Sequence, residues 1–376
     1  DDPQQARPMM RISKIEIFRA DMPMKVPFKI AIGITTVSRS LFLRVHTDSG
    51  LIGIGEANLF TPVVGETPET ALAAALLLAG ELIGTDPTDI EARVAQMRKR
   101  LPNNFTTRSA FDMALWDILG KQASLPLFAL LGGRRRPVVT DNTAGIEAPA
   151  VMAERAAGFK ARGFQVVKVK LGTDVATDMA RMRAIRAAVG PDFTLRVDAN
   201  QGWSRVDARK ALAELAEFRP ELVEQPLVKW DIDGMADLRA GTTIPIMADE
   251  SLFDEHDALR LVAAKACDYF NIKLAKSTGI HVALKINAIG EAAGIPCMIG
   301  CMTESGVGVT AAAHLASARE NIVFADLDGA DMLAADPVRG GFSYTGAGEI
   351  LPPTGPGLGI ELDADYLATL ESHTVA

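Results

Sequence analysis

Val166-Val167-Lys168-Val169-Lys170, Leu195-Arg196-Val197-Asp198-Ala199-Asn200, Leu222-Val223-Glu224-Gln225-Pro226, Ile246-Met247-Ala248-Asp249-Glu250 and Phe270-Asn271-Ile272-Lys273 are five short apolar runs that each end on polar residues. Their length and β-branched content read as buried strands. Ala-, Arg- and Glu-rich stretches of helical texture separate them. Outward from this block the alternation begins after Pro137, with strands ending near Thr143, Lys170, Asn200, Glu224, Asp249, Lys273, Met302 and Asp328. The spacing is roughly 25 residues, room for one strand, one helix and two loops. Eight such units predict an α/β fold closed as a (β/α) barrel, whose sites lie at the C-terminal ends of its strands. A doubly wound open sheet shares the alternation but gives no reason for a polar residue at nearly every strand end.

Before the barrel the texture differs. A strand is expected from Arg11, with Ile15 and Ile17 on one face. Leu41–Thr47 and Leu51–Glu56 flank Asp48-Ser49-Gly50 as a hairpin. Helical patterns follow at Thr67–Ile83 and at Ala110–Gly120, where Phe111, Ala114, Leu115, Ile118 and Leu119 share a face. Strands followed by helices predict a small α+β unit spanning 9–133, followed by a barrel over 134–339. A Gly- and Pro-rich segment over 340–376 is expected to pack back on the first unit, and Asp1 to Pro8 to form a disordered tail.

The 376 residues are 48% hydrophobic and 23% charged, the balance of a globular protein with a sizeable core. A net charge of −8 argues against nucleic acid as the main partner. The basic run Arg134-Arg135-Arg136 reads as a solvated connection. Three cysteines do not make a disulfide framework, and no stretch is apolar and long enough to cross a membrane, Ala71 to Ile83 coming nearest. The cytoplasm is the expected compartment. The periplasm is the alternative, because the sequence begins at Asp1 rather than Met.

Asp198, Glu224 and Asp249 end three consecutive strands and so converge at the barrel mouth. Oxygen ligands without His or Cys suit Mg²⁺, with water and substrate oxygens completing six-fold coordination. Lys168 and Lys170 point the same way from strand two, and Lys273 stands on strand six, so the lysines approach a metal-bound substrate from opposite sides. A carboxylate chelated to Mg²⁺ has a more acidic α-hydrogen, because the metal stabilises the enediolate left on deprotonation. A lysine base needs its pKa brought down from about 10.4, and burial together with the charges of Lys168 and the metal is expected to do so. Asp326 and Asp328, on strand eight, place a double negative charge at the mouth, fit for a cationic group such as an α-ammonium. A loop-capping aspartate pair is the other reading of those two residues.

Taken in order, the hairpin, Gly65-Glu66-Thr67-Pro68-Glu69-Thr70, Lys168-x-Lys170, the three acids, Lys273 and Gly300-Cys301-Met302-Thr303-Glu304-Ser305 resemble the enolase superfamily in its muconate-lactonizing-enzyme-like subgroup. The resemblance covers most of the chain. It implies a modified barrel of (β/α)7β type under an N-terminal capping domain, with Lys170 and Lys273 as the acid/base pair. Lys168 would assist electrostatically, and Asp198, Glu224 and Asp249 would hold one Mg²⁺ per site. The Asp-x-Asp at Asp326 and Asp328 is similar to that of dipeptide epimerases, where it holds the substrate's α-ammonium. The implied reaction is inversion at the α-carbon of the C-terminal residue of an L-Ala-type dipeptide. Lys168, Thr143, Met302 and Gly33 complete, with Asp326 and Asp328, the residues expected to meet substrate, in a chain expected to be a homo-oligomer. Ala-Glu epimerases carry an arginine in the first capping loop where Gly33 stands here; Lys25 or Lys29 is the local substitute, though Lys lacks the bidentate geometry. After Asp328 the chain reads Gly329-Ala330-Asp331 instead of a small residue, proline and leucine, and Asp331 adds a negative charge near the mouth.

N-acylamino acid racemases, o-succinylbenzoate synthases and cycloisomerases share the lysines and acids, but their substrates have no ammonium for Asp326 and Asp328 to hold. Sugar-acid dehydratases use a barrel histidine; His281 and His314 are not placed to serve as one. A non-catalytic organic-acid or peptide-binding protein has no need of lysines on both faces.

Overall fold

The computed structural model describes residues 10–376; the tail expected at Asp1 to Pro8 lies outside the described residues. Three antiparallel strands come first: β1 (Ile12–Ile30), β2 (Gly33–Thr47) and β3 (Ile52–Asn58). Ile15 and Ile17 of β1 and Leu41, Leu43 and Val45 of β2 bury one face of this sheet. They pack on Ala71, Ala75 and Leu78 of helix α1 (Pro68–Leu82) and on Phe111 and Leu115 of helix α2 (Phe105–Ala123). Thr67 caps α1 in a capping box with Thr70, and Pro68 opens its first turn. Gly53 and Gly55 bring β3 against the α2 backbone: a Cβ there would lie 2.1 Å from the Ala114 carbonyl oxygen and 1.9 Å from that of Ala110. On the outer edge, Glu371–Val375 pairs antiparallel with β1, Ile15 opposite Val375.

The second sheet has eight parallel strands in sequence order: Asn142–Ala144, Val166–Lys170, Thr194–Asp198, Val223–Glu224, Ile246–Ala248, Tyr269–Lys273, Cys297–Gly300 and Ile322–Asp326. Between strands eight and one, Thr140 bridges Ala325 and the Asp141 N–H donates to the Ala325 carbonyl at 3.2 Å. The sheet therefore closes, and sequential order excludes the doubly wound alternative. A helix follows each of the first seven strands; the eighth leads only into a 3₁₀ turn, Gly329–Met332. This is the (β/α)7β arrangement.

The first sheet covers the barrel mouth. The β1–β2 hairpin runs on past a register shift between Pro23 and Phe28 to the Ile30–Gly33 turn, and there Ile146 N–H donates to the Lys29 carbonyl. Deeper in, Glu56 of β3 accepts from the Ser305 and Gly308 N–H groups, capping helix Gly306–Ala318 after strand seven. Two sequence expectations change. Helix α2 starts at Phe105 rather than Ala110, because Glu66 accepts from the Thr106 and Thr107 N–H groups and buries a polar first turn that hydrophobic periodicity cannot register. Arg136 is not simply solvated: its guanidinium donates to the carbonyls of Ala316, Arg319 and Ile322, closing a helix end. Among the described residues no helix is long and apolar enough to cross a membrane.

Candidate active site

The ends of strands three, four and five put carboxylate oxygens of Asp198, Glu224 and Asp249 within 4.8 Å of one another, all buried. Left-handed residues at the strand ends turn the chain sharply there: Asn200 has φ 40° and Gln225 φ 35°. The Asn200 N–H then donates to Asp198 Oδ1 at 2.8 Å. Gln225, fully buried, accepts from the Asp249 and Ser251 N–H groups and so ties strand four to strand five. Asn271 Nδ2 donates to Glu224 Oε1 at 2.7 Å. Glu224 Oε2 and Asp249 Oδ1 are buried without a well-aligned donor. Three buried all-oxygen ligands whose carboxylate oxygens lie this close together fit a hard divalent cation such as Mg²⁺.

Lysines bracket this group. Lys170 Nζ lies 2.6 Å from Asp198 Oδ2 and Lys273 Nζ 2.7 Å from Asp249 Oδ2, at opposite ends of the triad. Lys168 is wholly buried beneath, 2.6 Å from Asp326, 2.8 Å from Glu224 and 3.2 Å from Asp198. Lys170, Lys273, Asp326, Asp328, Thr143 and Met302 all line the cavity at the mouth; Lys168 does not. Gly33 does not line it either: its missing side chain would face Phe60 and Pro62, while Ile30 and Thr35 stand at the cavity wall.

The protein's own charges push Lys273 and Lys168 opposite to the sequence expectation. Burial disfavours charge on Lys273, but Asp249, Glu224 and Asp326 together outweigh it and hold the ammonium above the ordinary lysine value. Lys168 is likewise held well above that value by Asp326, Glu224 and Asp198, again against burial. The acids divide. Burial and then Asp198 push Glu224 up to about 7, whereas against burial Lys273, Lys276 and Lys168 keep Asp249 low. Asp326 stays low because Lys168 overcomes its burial. Asp328, whose Oδ2 accepts the Thr143 N–H at 2.7 Å, is pushed up to about 7 by burial and by Asp326.

Several neighbours escaped the sequence reading. Lys276, fully buried, donates to the Leu252 and Asn271 carbonyls and lies 3.3 Å from Asp249 Oδ1. Arg196, two residues before Asp198, pairs with Asp141 at 2.8 Å in the barrel floor. Phe28, Phe60, Val63 and Met332 supply apolar cavity wall. As generic hydrophobic residues outside the barrel strands they carry no motif, while Gln225 follows Glu224 directly and Lys276 lies three residues after Lys273. Asp331, expected to add a negative charge near the mouth, is paired there with Arg162 at 2.7 Å and Lys25 at 3.4 Å. His281 pairs with Glu91 on a helix and His314 is buried between the Phe128 N–H and the Leu358 carbonyl, so neither reaches the cavity.

Residues 151–366 match the family model described as Enolase C-terminal domain-like, and residues 13–132 match that of the Mandelate racemase / muconate lactonizing enzyme, N-terminal domain. The chain belongs to the enolase superfamily. Within the superfamily it is similar to a hydrophobic dipeptide epimerase of Enterococcus faecalis, 44% identical over 89% of this chain and 95% of the relative. Among solved superfamily structures, the dipeptide epimerase of Cytophaga hutchinsonii complexed with Mg and D-Ala-L-Val matches with a TM-score of 0.96 and 40% identity. That match covers 97% of this chain and 100% of the other. The N-succinyl Arg/Lys racemase of Bacillus cereus matches with a TM-score of 0.94 and 34% identity, covering 97% and 100%. Superfamily membership thus joins the barrel, the cap and the acid triad in one chain, as the motifs implied.

Proposed function

We propose that this protein is a Mg²⁺-dependent dipeptide epimerase that inverts the α-carbon of the C-terminal residue. The observation that carries this reading is the pair Asp326 and Asp328, buried at the cavity wall beside an acid triad flanked by Lys170 and Lys273. An α-ammonium at that wall keeps both aspartates ionised, which Asp328 resists on its own. Asp198, Glu224 and Asp249 would hold one Mg²⁺. A divalent cation held by these three acids would supply the positive charge that neutralises a substrate carboxylate, so acidifying its α-hydrogen, and would offset the pull of the acids on the protons of Lys273 and Lys168. Lys170 and Lys273 stand on opposite faces of the substrate's α-carbon: one removes the proton and the other delivers one to the far side. Lys168, out of reach of substrate, holds Asp326, Glu224 and Asp198 in place by charge. Asn271 and Gln225 fix the Glu224 and Asp249 positions from below.

The side chain of the C-terminal residue meets Phe28, Ile30, Phe60, Val63 and Met302, and among the described residues the only cations on that cavity's lining are Lys170 and Lys273. A carboxylate side chain finds no partner of its own there, so hydrophobic C-terminal residues are favoured over Glu. The test is chiral chromatography of L-Ala-L-Leu, L-Ala-L-Phe and L-Ala-L-Glu after incubation with protein and MgCl₂, with EDTA as control. Mg²⁺-dependent appearance of the L,D product, faster for Leu and Phe than for Glu, is expected. Turnover of an N-acyl amino acid but of no dipeptide would transfer the reading to a racemase.

A further inference from the structure

We propose that a second, outer cavity adjoining the first is the subsite for the N-terminal residue's side chain and that it takes an acidic one; this rests on the dipeptide reading above. The two cavities share Phe28, Thr143 and Met332 as a common wall. That wall is the outer side of the aspartate pair: Thr143 and Asp331 donate their N–H groups to the Asp328 carboxylate and carbonyl, respectively. A dipeptide whose ammonium sits on Asp326 and Asp328 has its N-terminal side chain one bond away from the carbon bearing that ammonium, facing this annex.

Among the described residues the annex is lined by Lys25, Arg155 and Arg162 against a single acid, Asp331. Asp331 is already satisfied: Arg162 holds one carboxylate oxygen and Lys25 both the other oxygen and the Asp331 carbonyl, so it is not free to receive a substrate cation. Arg155 has only a loose contact with Glu147, at 3.7 Å. The Arg162 guanidinium is braced over the Phe159 and Phe164 rings, which fixes its plane. The surplus charge is therefore positive. A lysine or arginine side chain would meet like charge, whereas a carboxylate on a methylene stem lies along Phe28 and Met332 and ends among the cations. Two solvent-facing ion pairs of this kind are worth roughly a tenfold preference.

The experiment measures kcat/KM with MgCl₂ for L-Glu-L-Leu, L-Ala-L-Leu and L-Lys-L-Leu on the native enzyme, at low and at high NaCl. Glu-Leu is expected to exceed Lys-Leu by roughly tenfold or more at low salt, with the ratio shrinking as exposed charges are screened. In Arg155→Glu the Glu-Leu to Lys-Leu ratio is expected to fall below one. Because a ratio within one variant is unaffected by a general loss of folded enzyme, it reads the subsite alone. Equal rates on all three substrates, or a preference for Lys-Leu in the native enzyme, overturns the acidic subsite while leaving epimerisation standing. So does an unchanged ratio in Arg155→Glu. Failure of all three dipeptides to react removes the dipeptide reading and the subsite with it.

Discussion

Replacing Lys168 by methionine keeps the side-chain length and removes one wholly buried positive charge. In the native protein that ammonium lies 2.6 Å from Asp326, 2.8 Å from Glu224 and 3.2 Å from Asp198. Breaking a buried ion pair by deleting one partner costs about 3–5 kcal/mol. Protonation limits the loss, since a carboxylate of ordinary pKa takes up a proton at pH 7 for about 4 kcal/mol. With roughly 2.1 cal/mol/K of unfolding entropy per residue over 376 residues, 1 kcal/mol corresponds to about 1.3 °C, so Tm should fall by about 4–6 °C in EDTA near pH 8. The sign with pH follows from the acids. In the native protein Lys168 holds Asp326 low, and Lys170 and Lys168 hold Asp198 low, both against burial, so these acids contribute stability above the unfolded carboxylate pKa. Without Lys168 their folded pKa values rise, and the contribution becomes one lost as pH increases. The gap between variant and native protein therefore opens from about pH 4 toward pH 8. Saturating Mg²⁺ replaces the missing charge and raises the Tm of the variant by more than that of the native protein. Differential scanning calorimetry at pH 5 and pH 8, with EDTA and with MgCl₂, reads all three effects. An unchanged Tm at pH 8 in EDTA, or a gap wider at pH 5 than at pH 8, would refute the assignment of Lys168 as the charge that holds these acids.

Asp326→Asn is expected to raise KM for dipeptides by about 10- to 100-fold, the value of a charge-assisted hydrogen bond, while calorimetric Mg²⁺ affinity changes far less; an unchanged KM would count against the ammonium role. Asp112 accepts from the Ile280 and His281 N–H groups at the start of the helix after strand six, and burial pushes it up to about 7. A carboxyl raised in this way contributes stability below its unfolded pKa that is lost as pH climbs from about 4 to 7. Asp112→Asn keeps an acceptor that does not titrate, so urea denaturation should show a shallower stability decline over that window; an equal decline would remove Asp112 as its source. Gly55→Ala drives a Cβ into the Ala110 carbonyl, and a fall in the urea midpoint worth about 1–3 kcal/mol is expected. Native-like stability would show that β3 and α2 separate easily.

The barrel was legible because its strands are short, apolar and end in chemistry: Lys170, Asp198, Glu224, Asp249 and Lys273 each mark a strand terminus, and strand ends are where barrel sites gather. Asp326 and Asp328 were legible for the same reason. The cap's part in the site was not. Phe28 and Ile30 reach the cavity only because the β1–β2 hairpin runs on past its register shift to fold over the mouth, and that reach depends on tertiary contacts such as Ile146 N–H to Lys29. Gly33 was singled out because it stands where Ala-Glu epimerases carry an arginine, yet Ile30 and Thr35, not Gly33, line the cavity. The charge of Asp331 was visible, but its neutralisation by Arg162 and Lys25 joins residues that lie about 170 and 300 positions away. The lysine pKa direction could not be read from residue types either, because it depends on how many carboxylates crowd each ammonium.

Two-base inversion is tested most directly by α-proton exchange in D₂O. The native enzyme with MgCl₂ and a dipeptide such as L-Ala-L-Leu is followed by ¹H NMR beside Lys170→Ala and Lys273→Ala. The native protein should exchange the α-proton of the C-terminal residue from both the L,L and the L,D diastereomer and interconvert them. Each variant should lose interconversion, and any exchange that survives should be confined to one diastereomer, opposite in the two variants. Full epimerisation in either variant, or native exchange without inversion, would contradict lysines acting on opposite faces of one metal-bound carboxylate.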